Sequence, residues 1–61
     1  MATNEALRAA RGRRSVEEIC KNCGISVSSY RKYESGSRQP RDKVKIKLSK
    51  FLGVSVSDLF F

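Results

Sequence analysis

Apolar residues recur along this chain at the spacing of α-helices, and hardly anywhere at the spacing of β-strands. Ile19, Cys20 and Cys23 share one face of a helix. Further on, one stripe at i, i+4, i+7 and i+8 comprises Val44, Leu48, Phe51 and Leu52. The one alternating segment, 54–57, is too short to make a sheet alone. The pattern predicts an all-α protein.

Serines and glycines mark where the helices begin and end. Ser15 and Ser55 each precede an acidic residue by three positions, as in a capping box. Glycines follow each of the first four apolar stretches, where a helix is expected to stop. The predicted helices cover residues 3–11, 15–23, 26–35 and 41–52, and a last short helix has Ser55 as its N-cap. We therefore expect a compact bundle of about five short helices, with residues 1–61 forming one domain.

The segment 15–34 combines these signals into two short helices joined by a sharp turn at Gly24. The second helix turns Tyr30 and Tyr33 inward, and its outer face carries Val27, Ser28, Arg31 and Lys32. Such a helix-turn-helix with a polar, basic outer face can place a helix in the DNA major groove. The tyrosines would alternatively be stacking platforms for single-stranded nucleic acid, but their i, i+3 spacing favours core packing.

Charge points to the same class of partner. The 61 residues include 13 Lys and Arg against 6 Asp and Glu, a net charge of +7. That excess favours a polyanion, although a solvated basic surface is the plainer explanation. Basic and polar residues near two predicted helix starts are suited to phosphates, because the helix dipole favours anions there. Arg13 and Arg14 precede the second helix, and the start of the fourth is flanked by Arg38, Gln39, Arg41 and Lys43.

The remaining chemistry is sparse. Cys20 and Cys23 form a C-x-x-C, but no histidine or second cysteine pair completes a zinc site. Cys23 lies at a helix end, whereas a redox pair usually begins one, so we predict two buried thiols in a reducing compartment. The inventory favours neither an enzyme nor a cofactor, metal or small-molecule ligand. Without a membrane-length apolar run or a signal segment, a cytoplasmic protein is expected.

Four sequence elements carry a resemblance to a known family: S-x-E-E-I-C-x-x-C-G-I-S, Y-R-K-Y-E-S-G, Pro40 and L-G-V-S-V-S-D-L. Over residues 15–59 the chain resembles the Cro/repressor-type (Xre-like) helix-turn-helix domains of phage and bacterial regulators. The resemblance implies a lambda-repressor-like fold and sequence-specific binding of double-stranded DNA, in a transcriptional regulator of repressor type. Similar proteins often bind palindromic operators as homodimers.

The resemblance also implies individual roles. Val27, Ser28, Arg31 and Lys32 match positions that face base edges. Ser29 and the segment 37–43 match positions near the phosphate backbone.

Two positions depart from the family pattern. Val16 stands where many members have a glutamine that contacts phosphate, so that contact is in doubt. The arginine that pairs with Glu34 in the family would align with Ala9, one position after Arg8. Either the turn 12–14 is one residue longer, or the pair is absent. We expect the longer turn, which would let Arg8 pair with Glu34.

Other roles stay open at this point. The same mode of DNA binding would suit an antitoxin or a DNA-recruiting part of a larger protein. A basic protein-interaction module or a thiol or metal module at the cysteines is a further alternative. Phe60 and Phe61 would close the core, make a dimer contact, or mark where a longer chain was cut; of Leu59, Phe60 and Phe61, one or two should close the core.

Overall fold

The computed structural model describes residues 3–60, which form five α-helices and no strand. They are α1 (Glu5–Arg11), α2 (Val16–Cys23), α3 (Val27–Ser35), α4 (Asp42–Leu52) and α5 (Val56–Phe60). The predicted all-α bundle is confirmed. The first four helices begin one or two residues later than predicted, because each predicted range included the cap residue and the first also included Thr3.

Serine side chains define three of the helix starts. The serine before α2, α3 or α5 accepts a hydrogen bond from the backbone N–H three residues on, at 3.0 to 3.1 Å: Ser15 from Glu18, Ser26 from Ser29 and Ser55 from Asp58. Each bond satisfies one of the four free amides at a helix start. α4 differs, since its cap position is Arg41 and makes no side-chain cap bond. A guanidinium has only donors, so it cannot accept from an amide.

Gly24 forms the turn between α2 and α3. Its φ of 67° lies in the left-handed region, where side chains with a Cβ are strained. Its N–H and that of Ile25 both donate to the Cys20 carbonyl, which closes the end of α2. Only two residues, Gly24 and Ile25, therefore separate the end of α2 from Ser26, the N-cap of α3.

One core joins all five helices. α2 packs against α3 and α4, α1 against α3 and α5, and α4 against α5. The buried apolar residues are Leu7, Ile19, Cys20, Cys23, Tyr30, Tyr33, Leu48, Leu52 and Leu59. This confirms the predicted burial of the α2 face, both tyrosines and two positions of the α4 stripe. The stripe's other two positions, Val44 and Phe51, are half-buried against the core, as is the predicted core residue Ile25.

The end of the chain completes the core as expected. Leu59 is buried and Phe60 packs beside it, while Phe61 lies outside the described residues. Ile46, which falls off the α4 stripe, is 48% exposed.

Asn4 ties the first helix to two others. Its side-chain oxygen accepts from the Leu7 N–H and caps α1, and its side-chain nitrogen donates to the Leu59 carbonyl, both at 2.9 Å. Its backbone N–H donates to the Glu34 carbonyl at the end of α3, also at 2.9 Å. One residue therefore fixes the start of α1 against α3 and α5.

Candidate nucleic-acid interface

α3 has one face in the core and one in solvent. Tyr30 is fully buried and Tyr33 is 8% exposed, so neither ring is available to stack on a base. On the other side Ser28, Arg31 and Lys32 are exposed. Of the four side chains predicted to contact bases, these three lie fully on the outer face.

Val27, the fourth, is half-buried and packs partly against the core at the first turn of α3. It nevertheless lines a shallow groove of about 560 Å³ along the outer face of this helix, together with Ser28, Arg31, Lys32 and Ser35. Its methyl groups thus reach both the core and the groove.

An ion pair braces α3 from the direction of α1. Arg11 Nε donates to Glu34 Oε2 at 3.1 Å, and Arg11 Nη2 donates to Glu34 Oε1 at 3.0 Å. The two side chains are 25% and 16% exposed, respectively. The hydrogen bond with Glu34 raises the pKa of Arg11. Two parallel bonds fix direction as well as distance, so the pair orients the last turn of α3.

The prediction that Arg8 pairs with Glu34 is wrong. Arg11 lies four positions after the buried Leu7 and therefore on the same helical face, which meets α3. Arg8 lies one position further round and is exposed. The pair itself exists, but its arginine comes from the last turn of α1 rather than from the middle of the helix.

The Tyr30 hydroxyl lies behind this pair. It is buried and has no hydrogen-bond partner among the described residues. Burial raises the pKa of Tyr30, and the neighbouring Glu34 carboxylate raises it further. The phenol therefore stays neutral.

The loop between α3 and α4 is held against the end of α3. The backbone amides of Ser37 and Arg38 both donate to the Lys32 carbonyl, at 3.1 and 3.3 Å. Pro40 is buried and fixes the far end of the loop. Around this loop the four predicted phosphate contacts are all exposed: Arg38, Gln39, Arg41 and Lys43. They surround the start of α4, whose amides no side chain caps.

The other predicted phosphate contacts have different surroundings. Arg14 donates from Nη1 to the Ala10 carbonyl at 3.2 Å, and its guanidinium lies 5.9 Å from the centre of the Phe51 ring. Arg13 is exposed and has no such contact within residues 3–60. At the start of α3, Ser26 donates to Ser29 Oγ at 2.9 Å, which leaves the Ser29 hydrogen to donate elsewhere.

A second concave surface lies where α1, α2 and α3 meet. This open cleft of about 550 Å³ is lined in part by Arg8, Arg11 and Arg31 and by Ser15, Val16 and Glu17 at the start of α2. Val16 itself is half-buried against the core. The sequence alone does not indicate that Arg8 and Arg31 line one cleft, because only the packing of α1 on α3 brings them together.

The two cysteines are structural. Both are free and buried, and burial raises the pKa of each thiol. A buried neutral thiol behaves as a small apolar group, as the sequence predicted. Within the described residues, no group of three or more His, Cys, Asp or Glu side chains is placed to hold a metal ion. None of the helices there is long and apolar enough to cross a membrane.

Comparison with known proteins agrees with this geometry. The sequence model of the family described as Helix-turn-helix matches residues 5–59, from the first residue of α1 to Leu59 in α5. No curated protein and no solved structure matches the chain significantly. The match includes the Gly24 turn, the exposed face of α3 and the loop before α4 in one continuous alignment. The chain therefore belongs to the helix-turn-helix family of DNA-binding domains, in its Cro/repressor-type branch.

Proposed function

We propose that this chain is a sequence-specific double-stranded DNA-binding protein, a repressor-type transcriptional regulator of a phage or bacterium that acts in the cytoplasm. The observation that carries the proposal is the outer face of α3. Ser28, Arg31 and Lys32 are exposed there on a helix whose opposite face is buried and braced by Arg11–Glu34. A rigid helix with free polar side chains is what major-groove reading requires.

Base reading rests on a few side chains of α3. Lys32 can donate to guanine O6 and N7, and Ser28 can donate to or accept from either base of a pair. Val27 can contact a thymine methyl through the groove that it lines. Arg31 lines the same groove and would donate to a base edge or to the backbone. Each well-formed pair supplies about 1–3 kcal/mol of discrimination against a wrong base.

Phosphate contacts on both sides would hold α3 in register. On one side the uncapped start of α4 offers free amides to an anion, with Arg38, Gln39, Arg41 and Lys43 around it. Ser29 contributes a hydroxyl at the start of α3. On the other side Arg13 is a stronger candidate for a phosphate contact than Arg14, because the Arg14 guanidinium already contacts Ala10 and Phe51.

The proposal includes a homodimer on a palindromic operator. Two copies would read half-sites about 34 Å apart, one turn of the double helix. No small-molecule ligand or cofactor is part of this function.

The alternative is the same mode of DNA binding in another protein context, as an antitoxin or as the DNA-recruiting part of a larger protein. It shares every contact named above and differs only in the partner protein. A partner that binds the chain through Phe60 and Phe61 would favour it.

Selection from a random double-stranded DNA library tests the proposal. The purified chain is incubated with the library at moderate salt, and the retained duplexes are sequenced. Enrichment of one motif is the expected result, and a palindromic motif supports the dimer. Retention without a motif means that the chain contacts only the backbone and overturns sequence-specific reading. No retention overturns DNA binding by this chain and favours a protein partner.

Arg41→Ala tests the proposed contacts to the DNA phosphates. It should weaken binding to all duplexes alike and flatten the dependence of log K on log salt by about one unit. A selective loss on the enriched motif would contradict the placement of Arg41 at a phosphate.

A further inference from the structure

The cleft between α1, α2 and α3 brings together two arginines that lie far apart in sequence. Arg8 comes from α1 and Arg31 from α3, and both line the cleft. Neither forms an ion pair or a side-chain hydrogen bond with any residue in the described range 3–60. Arg11 also lines the cleft, but Glu34 occupies its guanidinium. Arg8 and Arg31 are thus the two cationic side chains that the cleft leaves for a ligand.

We propose that Arg8 and Arg31 together bind one backbone phosphate of the DNA in this cleft, so that Arg31 is a phosphate contact rather than a base contact. The inference rests on the proposed DNA-binding function and names a residue of α1, outside the helix-turn-helix itself, as part of the binding site.

The charges of the cleft fit a phosphate. Because Glu34 is paired with Arg11, the charges that remain are the two free guanidinium groups and the Glu17 carboxylate. Guanidinium groups present planar forks of donors that match phosphate oxygens. Val16, also in the lining, has no side-chain group that can donate to an anion. The two arginines are therefore the side chains of this lining that can hold an anion by charge without first giving up an ion pair.

The position of the cleft fits as well. It shares Arg31 and Ser35 with the groove along the outer face of α3, so the two concave surfaces are neighbours. A duplex seated on α3 with bases at Ser28 and Lys32 would pass its backbone over the shared edge at Arg31. From there the cleft extends towards Arg8 on α1. A free nucleotide would meet the same donors, but the continuity of the two surfaces favours a phosphate of bound DNA.

Salt titration of DNA binding tests the inference. Arg8→Ala should flatten log K against log salt by up to about one unit, both on the enriched motif and on a scrambled duplex, because Arg31 still faces the same phosphate. Between 50 and 200 mM salt, the affinity of the unchanged chain should fall more than that of the variant, by up to about three- to fourfold. Arg8→Lys should restore the slope, because an ammonium also neutralises a phosphate. Lys50→Ala, exposed at the end of α4 and outside the cleft, controls for the change in net charge.

Arg31→Ala should give the same flattening and leave the affinity ratio of motif to scrambled duplex unchanged. Glu17→Gln should strengthen binding to both duplexes, since it removes the carboxylate from the cleft. A methylphosphonate placed at each backbone position in turn should reveal one position in each half-site at which the neutral linkage weakens the unchanged chain more than it weakens Arg8→Ala.

Each contrary result has a distinct meaning. If Arg8→Ala matches Lys50→Ala, or if Arg31→Ala abolishes the preference for the motif, the inference is overturned while the proposed function stands. If the unchanged chain binds no duplex, the proposed function fails and this inference fails with it. Thermal unfolding of each variant by circular dichroism verifies that the fold is intact, as expected for substitutions at exposed positions.

Discussion

The inner and outer faces of α3 differ in the burial and the hydrogen bonding of their side chains. On the inner face Tyr30 is fully buried, and Glu34 takes two hydrogen bonds from Arg11. On the outer face Ser28 and Lys32 are exposed and their side chains make no bond within residues 3–60. A single nine-residue helix thus has one face that is held in the core and one face whose side chains are available for binding.

The difference shows how a small domain can present free polar groups without losing its shape. A chain of this size buries only about 60% of its unfolded surface, so its stability is modest. The inner face anchors α3 to α1 and to the core, and the outer side chains can then be selected for binding alone. Substitutions on the inner face should change the free energy of unfolding, and those on the outer face should change DNA recognition.

Tyr30→Ala should have the largest effect. Truncating a fully buried aromatic side chain costs about 3–5 kcal/mol, which is comparable with the whole stability of a domain of this size. The variant should be largely unfolded at room temperature, as measured by circular dichroism during urea titration. Ser28→Ala, two residues away on the outer face, is the control and should stay within about 0.5 kcal/mol. Equal midpoints for the two variants would refute the inner-face assignment.

Lys32→Ala should leave unfolding unchanged and remove about 1–3 kcal/mol of discrimination between the preferred motif and its variants. The measurement is competition binding with single-base substitutions of the motif. Because Lys32 carries a free side chain on the outer face, the loss should be confined to one or two base pairs. A uniform loss across all sequences would mean that Lys32 contacts phosphate instead.

Glu34→Gln should cost about 1–2 kcal/mol of stability, between the values for exposed and buried ion pairs, because it leaves a half-buried Arg11 without its counter-charge. Urea denaturation measures the change. Arg8→Gln is the matched control, since Arg8 is exposed and should leave the denaturation midpoint in place. A greater loss for Arg8→Gln than for Glu34→Gln would show that the pairing is misassigned.

Tyr30→Phe should have the smallest effect. It removes a buried hydroxyl that has no hydrogen-bond partner among the described residues and keeps the ring. The variant should be as stable as the unchanged chain or more stable by up to about 1 kcal/mol. Thermal unfolding of the two chains in parallel decides this, and a clear loss of stability would indicate that the hydroxyl is hydrogen-bonded in solution.

Local signals were enough to predict most of the fold. Capping serines and turn glycines act within a few residues, and the apolar spacing of α2 and α4 identifies the faces that become buried. The start of α1 was less clear, although Asn4 is itself a typical cap residue.

Contacts between helices were harder to predict. Arg8 and Arg11 lie one helical turn apart, and both have a charge that suits Glu34. Only the packing of Leu7 into the core decides that Arg11 faces α3. The same limit applies to Arg14, because its contact with Phe51 joins two residues that lie far apart in the sequence. The cleft beside Arg8 likewise exists only after α1 has packed against its neighbours.

Asn4 brings the start of α1 close to the end of α5. Its hydrogen bond to the Leu59 carbonyl spans 55 positions and holds the first and last helices at one corner of the molecule. A linker of a few residues should therefore join the start of α1 to the end of α5, and a break at an exposed turn should leave the five helices packed against the same neighbours. For the same reason the domain can be inserted into a surface loop of a host protein without forcing the two sides of that loop apart.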